Sequence, residues 1–271
     1  MPQIDPSSRV DPKAELADDV VVGPFSTIGP DVRIGAGTVI QSHCVITGRT
    51  EIGRNNRLFP FASVGTPPQD LSYRGEPTRL LIGDGNTIRE CVTINTGTIK
   101  GGGITIVGNQ NLIMACAHIA HDCQLGDRIV MANCSLLAGH VKVEDGVIFS
   151  GNVGVHHFVT LGSMCMIGGL TGIGRDVPPY MMVLGDDKPR AVNIIGMKRN
   201  GFSDHDVESV QRVFRFLYRP SKVARADIPA KLEEMGMLTQ AARNVLESVR
   251  RAESGKLGRH LELTRQEASH A

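Results

Sequence analysis

The chain has 271 residues, enough for one or two domains. Lys and Arg number 29 against 28 Asp and Glu, a net charge of +1 that gives no reason to expect nucleic acid or a membrane surface as a partner. Apolar residues at 41% and charged residues at 21% exclude whole-chain disorder, while 31 glycines beside only 4% aromatics suggest an interior with no room for rings. Residues 1–10 hold Asp5, Arg9 and two prolines, and no apolar stretch of signal-peptide length. No segment approaches the ~18 apolar residues of a membrane span. The six cysteines form no CxxC pair. They read as reduced small packers in a cytoplasmic protein.

In chain order, the first signal is a beat of six. From Ile4 through Val10, Leu16, Val22, Ile28 and on to Val64, every sixth residue is Ile, Leu or Val. The beat breaks between Thr66 and Leu81 and resumes at Ile82, Ile88 and Ile94. Lys100-Gly101-Gly102-Gly103 shifts it by one, and it runs on from Val107 to Ile173. Four residues past each beat stand small or β-branched residues such as Ser26, Val32, Thr38, Cys123 and Val141. Neither a helix nor a simple strand has this period. Six residues make one short flat face and a corner, and three faces close a triangular coil of 18. Residues 18 apart then stack about 4.8 Å apart, as in a parallel sheet. Asn and Gly suit the corners, which need positive φ.

Val177-Pro178-Pro179-Tyr180 is expected to end the stack. Domains of 1–185 and 186–271 follow. In the second, Ser203 caps a helix carrying Val207, Val210, Val213, Phe214 and Leu217, which Pro220 stops. Another helix starts after Asp227 with Pro229 in its first turn, and a third spans about Thr239 to Glu253. The end after Gly255 reads as frayed. From Asp186 onward there are 16 Lys and Arg against 12 Asp and Glu, so a basic cap follows an acidic body.

A smooth prism has no pocket, so chemistry belongs at breaks and corners. Of nine histidines, His118, His121, His140, His156 and His157 crowd one stretch. The 18-residue stack puts His121 under Gly139 and then His157, and Asp122 under His140. One edge then carries all four side chains, with a glycine between two histidines that leaves space and an N–H. Two chemistries fit. Zinc would need about three histidines, and the His118/His121 spacing of three matches that poorly. A histidine general base oriented by the adjacent Asp122 fits acyl transfer. A non-catalytic solenoid is the remaining alternative.

The beat resembles that of the hexapeptide-repeat transferases over roughly residues 1–180. That resemblance implies a mainly β protein, a left-handed parallel β-helix with a C-terminal helical domain, and a homotrimer. Further motifs narrow it: Gln69-Asp70-Leu71, Gly75-Glu76-Pro77-Thr78-Arg79, Ile88-Arg89-Glu90, Ala117-His118-Ile119-Ala120-His121-Asp122-Cys123, Leu137-Ala138-Gly139-His140, Gly168-Gly169, Asp176-Val177-Pro178-Pro179-Tyr180, Val192-Asn193-Ile194 and Lys198-Arg199. In this order they resemble the O-acyltransferase family of lipid A biosynthesis, which acylates UDP-N-acetylglucosamine from an acyl carrier protein. The resemblance implies no metal and no cofactor. It implies His121 as base for the sugar 3-hydroxyl, Asp122 as its holder and the Gly139 N–H as oxyanion donor. It implies substrate binding by Gln69, Asp70, His118, His140, His156 and His157, nucleotide binding by Asn193 and Arg199, and acyl-length selection at Gly169. The chain departs from the family pattern at Ser72 (usually Lys), His157 (Gln), Ile195 (Glu) and Asn200 (Arg). A 3-amino acceptor, another nucleotide sugar and a related N-acyltransferase therefore stay open.

Overall fold

A computed structural model describes residues 1–265. Its body is a parallel β-helix whose short strands stack into three sheets of 11, 9 and 8 strands among the described residues. Sheet 1 starts at Gln3–Ile4, sheet 2 at Arg9–Val10 and sheet 3 at Glu15–Leu16. The register is that of an 18-residue coil, with Val22 paired to Ile40 and Ile40 to Leu58. The beat residues point inward, and Ile40, Ile46, Leu58, Ile88, Ile113 and Ile119 are wholly buried. So are the partners four residues on, including Thr38, Cys44, Thr50, Ile129 and Ser135. Polar ones among them feed the corners: Thr38 Oγ1 donates to the Gly53 carbonyl at 3.0 Å and Ser135 Oγ to that of Ser150 at 3.0 Å. Phe149 is the one ring seated on the beat.

The two interruptions are insertions, and the coil closes correctly across both. Leu58 pairs with Ile88, 30 residues on, and Ile88 with Ile113, 25 residues on. The first leaves sheet 2 after Ser63–Thr66 and rejoins sheet 3 at Arg79–Ile82. The second leaves sheet 2 after Thr93–Asn95 and rejoins sheet 3 at Ile104–Val107. Both therefore bulge from the corner between sheets 2 and 3.

Several expectations need correction. The corner φ is positive not only at Gly and Asn but at Phe25, His43, Cys91, Met164 and Leu170. Corner side chains project outward, so bulk costs nothing beyond the backbone strain. The cysteines divide: Cys44, Cys123 and Cys165 are buried, whereas Cys91, Cys116 and Cys134 occupy such corners and are exposed. Burial pushes the Cys44 thiol up to about 11 and those of Cys123 and Cys165 up to about 12. The stack does not end at Pro178-Pro179. The prolines lie at a corner, and Met181–Val183 pairs parallel with Met166–Ile167 before Pro189–Val192 returns antiparallel.

Among the described residues four α-helices follow: α1 (Ile194–Arg199), α2 (Asp204–Tyr218), α3 (Ile228–Glu234) and α4 (Gln240–Ser254). The hydrophobic pattern did not announce α1. The other three start at the expected caps, α2 with a reciprocal capping box between Ser203 and Asp206. The expected fraying after Gly255 does not hold for residues 256–265, and residues 266–271 lie outside the described residues. His260 N–H donates to Asp176 Oδ2 at 2.8 Å, and Arg259 Nη1 to the Gly174 carbonyl at 2.9 Å. Arg259 also pairs with Glu262 at 2.9 Å, both side chains under 10% exposed. Burial raises the Asp176 carboxyl against these hydrogen bonds. The segment latches onto the last coil through polar contacts that a hydrophobic pattern cannot reveal.

Candidate active site

At the 2–3 corner, His118 of sheet 2 opens the stretch 118–125, which turns the corner through Asp122 at φ 61°. Asp and Asn tolerate this left-handed region better than most residues. His140 (φ 63°) and Phe158 (φ 64°) repeat the corner one and two coils higher. The rings of His140 and Phe158 stack at 4.3 Å, and His140 meets His121 edge-on at 5.1 Å.

Asp122 is buried and its carboxylate is densely held. Oδ1 accepts the Thr98 N–H at 2.7 Å. Oδ2 accepts the Thr98 hydroxyl at 2.7 Å and lies 2.8 Å from His121 Nδ1. The Asp122 N–H in turn donates to Thr105 Oγ1 at 2.8 Å. An ionised carboxylate is acceptor-only, so Nδ1 is the donor and Nε2 carries the lone pair. Thr98 belongs to the second insertion, which the sequence displayed only as a phase shift. Gly101 of the same insertion lies flat over the Asp122 carboxyl, where a Cβ would collide with the carboxylate carbon and both oxygens.

Gly139 covers the other side of the pair. A Cβ there would collide with His121 Cε1 and stand 2.7 Å from Nε2. The Gly139 N–H donates to no partner among the described residues. Space and an unspent donor are thus both present beside the imidazole.

Two depressions meet at His121. One, about 790 Å³, lies toward sheet 3 and is lined by Asp70, Lys100, His121, His140, Phe158 and Arg265 among others. The second, about 690 Å³, lies on sheet 2 and is lined by His118, Leu136, Gly139, Gly154, His156 and Gly172 among others. Gln69, His121 and His157 border both. Gly154 and Gly172 stack in register, and a Cβ on either would meet nothing within 4 Å. They leave a smooth trough beside the half-exposed Leu136.

The surrounding groups are tuned by burial and by one another. Burial, with the neighbouring His121 charge, holds His118 below its ordinary value. Its Nδ1 lies 2.7 Å from Thr93 Oγ1. His140 is lowered by burial, which the Asp122 charge opposes, and by His121, His157 and Arg265. His157 is lowered by burial, then by His156, His121 and Arg265. Burial opposes ionisation of Asp70, but hydrogen bonds from Ser72 and the charges of His121 and Lys100 outweigh it and lower that carboxyl.

His121, Asp122 and His140 offer three ligand atoms within 4.8 Å of one another. Both Asp122 oxygens already accept hydrogen bonds from Thr98, and Oδ2 also lies 2.8 Å from His121 Nδ1. The arrangement suits proton handling better than a tetrahedral zinc cradle.

Three anticipated residues lie apart from this cluster. Asn193 is buried, capping α1 through the Gly196 N–H at 3.0 Å and donating to the Met164 carbonyl at 2.8 Å. Arg199 is exposed in the last turn of α1. Gly169 sits at the corner between sheets 1 and 2, one coil beyond Gly151, whose carbonyl would be 3.3 Å from a Cβ at 169. None of the three lines either depression. Arg265, in contrast, lines the first, although the hydrophobic pattern gave no sign of it.

A hexapeptide β-helix with a histidine–carboxylate pair at its corner belongs to a class known from its sequence models. The model described as bacterial transferase hexapeptide (six repeats) matches residues 2–48, and that described as UDP N-acetylglucosamine O-acyltransferase, domain 2, matches residues 176–257. The class is therefore the acyltransferases built on a left-handed β-helix. Among similar solved structures is the Francisella novicida UDP-N-acetylglucosamine acyltransferase, with 38% identity over 92% of this chain and 91% of that one and a TM-score of 0.86. The Moraxella catarrhalis UDP-N-acetylglucosamine O-acyltransferase shows 39% identity over 90% of this chain and 95% of that one, with a TM-score of 0.84. The Arabidopsis UDP-N-acetylglucosamine acyltransferase shows 34% identity over 93% and 98%, with a TM-score of 0.81. This chain belongs to the UDP-N-acetylglucosamine acyltransferase family. No helix among the described residues is long and apolar enough to cross a membrane.

Proposed function

We propose that the protein transfers an acyl chain from acyl carrier protein to the 3-hydroxyl of UDP-N-acetylglucosamine in the cytoplasm, opening lipid A synthesis, and that His121 is the general base. The carrying observation is the 2.8 Å contact between His121 Nδ1 and the buried Asp122 carboxylate, which leaves Nε2 basic beside the unpaired Gly139 N–H. His121 Nε2 takes the hydroxyl proton as the sugar oxygen attacks the thioester carbonyl carbon. The Gly139 N–H stabilises the oxyanion, a donor worth about 3–4 kcal/mol in comparable sites. The tetrahedral adduct collapses, the C–S bond breaks, and the imidazolium returns its proton to the departing thiolate. Asp122 orients the ring and stabilises the imidazolium.

Asp70 and Gln69 hold the glucosamine, and the trough of Gly154 and Gly172 receives the acyl chain, with Gly169 bounding its length. His118, His140, His156 and His157 contact substrate along the two depressions. Asn193 and Arg199, remote from His121 within one chain, serve the nucleotide across a boundary between copies in a homotrimer. The repeat body, 1–185, carries the chemistry, and the basic cap, 186–271, receives the acidic carrier protein. The test is a donor-by-acceptor assay with purified acyl carrier protein. It crosses several acyl lengths with UDP-N-acetylglucosamine and its 3-amino analogue. His121→Ala should abolish turnover while the trimer persists in solution. Turnover retained by that variant sinks the assignment of the base, and exclusive use of the amino analogue sinks that of the acceptor.

A further inference from the structure

The segment 258–265 lies beyond both stretches matched to known families, yet it forms a wall of the catalytic cavity. Its latch is built from half-buried polar groups: Asp176 takes the His260 N–H, and the Asp176 N–H donates to the Gly258 carbonyl at 2.8 Å. Beyond the latch, Glu262 is held by two guanidinium groups, Arg259 at 2.9 Å and Arg265 at 2.5 Å. One carboxylate between two arginines leaves a net positive charge. Arg265 carries it into the cavity, with its guanidinium 4.7 Å from the Phe158 ring centroid and its side chain 46% exposed. Phe158 in turn stacks on His140. The contact of the Arg265 guanidinium with the Phe158 ring and its Nε contact with Glu262 hold the fork, and among the described residues its terminal nitrogens have no acceptor. Lys100 and Lys142 line the same cavity and pair with no carboxylate among the described residues. Three cations therefore converge on a depression whose acidic lining groups are Asp70 and the internally satisfied Asp122.

We propose that Arg265, supported by Lys100 and Lys142, binds a phosphoryl group of a substrate in this cavity, and that segment 258–265 exists to deliver it there. The proposal rests on the acyl-transfer reading for its site. A guanidinium with a fixed fork suits bidentate contact to phosphate. The phosphoryl group has two possible sources, the diphosphate of the nucleotide sugar and the phosphodiester of the carrier protein's pantetheine arm.

The test is calorimetric titration of the full chain and its Arg265→Gln variant with UDP-N-acetylglucosamine and, separately, with 4′-phosphopantetheine. Steady-state kinetics run alongside with both substrates. The expected result is a roughly tenfold or greater loss of affinity for one of the two ligands, which identifies the source. The KM of the corresponding substrate should rise in step, kcat should stay within about twofold, and Arg265→Lys should recover part of the loss. Unchanged affinity for both ligands, or a wild type that binds neither, overturns the proposal. Equal losses for both ligands with a lowered melting temperature would make Arg265 a strut of the segment, and overturn it too. Arg265-dependent binding in a wild type that transfers no acyl group from the carrier protein refutes the acyl-transfer reading and leaves this proposal standing.

Discussion

Replacing Gly139 by Ala tests the site at its tightest point. The new Cβ would stand 2.7 Å from His121 Nε2 and 3.0 Å from Nδ1, and closer still to Cε1. Ordinary contact between such atoms begins near 3.4 Å. The imidazole must therefore retreat by roughly 1 Å. It cannot do so freely, because Nδ1 is held at 2.8 Å to an Asp122 carboxylate that is itself fixed by Thr98. A displacement of that size at a reacting group costs about 10²-fold in rate. Overpacking costs about 1–3 kcal/mol of stability, which for a chain of this length lowers the melting temperature by roughly 2–12 °C. The assay is acyl transfer from acyl carrier protein to UDP-N-acetylglucosamine, with thermal unfolding followed in parallel. The expected outcome is a folded protein with kcat reduced about a hundredfold. A Gly139→Ala enzyme with wild-type kcat would show that the imidazole need not lie under residue 139, and the catalytic geometry argued above would be wrong.

Three further outcomes follow from the same contacts. Thr98→Val removes the hydroxyl that donates to Asp122 Oδ2 and keeps the backbone donor. It should cost about 1.5–3 kcal/mol in urea unfolding and lower kcat, and Thr98→Ser should restore both; an unaltered unfolding midpoint would remove Thr98 from the support of Asp122. Gly172→Leu places a side chain in open space, so folding should be unaffected while long acyl donors lose about tenfold or more in kcat/KM relative to short ones. An unchanged chain-length profile would exclude the trough as the acyl path. His118, His140 and His157 are all lowered in the folded state from 6.5. Below that pH the unfolded chain binds more protons than the folded one, so their contribution is intact above about 6.5 and is lost as pH falls toward the folded values. Urea midpoints should drop between pH 7.5 and 5.5, and less steeply in His157→Gln; parallel slopes would contradict the shift.

The fold was legible because one physical constraint repeats. A narrow aliphatic interior must be refilled every six residues, so Ile28, Ile34 and Ile40 announce three faces without any knowledge of tertiary structure. Register arithmetic then placed His121 under Gly139 and Asp122 under His140, and the structure brings them together. What stayed hidden depends on groups that leave no period. Thr98 and Gly101 sit in an insertion whose only trace in the repeat is a shift of phase. The docking of Arg259, His260 and Glu262 is ionic and local, so a polar tail looked unstructured. Helix α1 spans only six residues and is started by the Asn193 side chain, too short for a hydrophobic stripe to emerge. The exposed Cys91, Cys116 and Cys134 were misjudged because the usual burial of cysteine says nothing about a corner in the left-handed region.

The stacked register also has a mechanical meaning. In most enzymes the spacing between functional groups depends on how neighbouring side chains happen to fill space, and a core substitution can change it. Here the vertical distance from His121 to residue 139 and on to residue 157 is one and two steps of a backbone lattice, set by parallel-strand hydrogen bonds at about 4.8 Å. The pitch is the same whether the interior rung is Ile119, Leu137 or Val155. Interior residues can therefore drift among aliphatics while the spacing of the corner groups holds. The dimensions of the site are a property of the coil, and the corner residues need supply only chemistry.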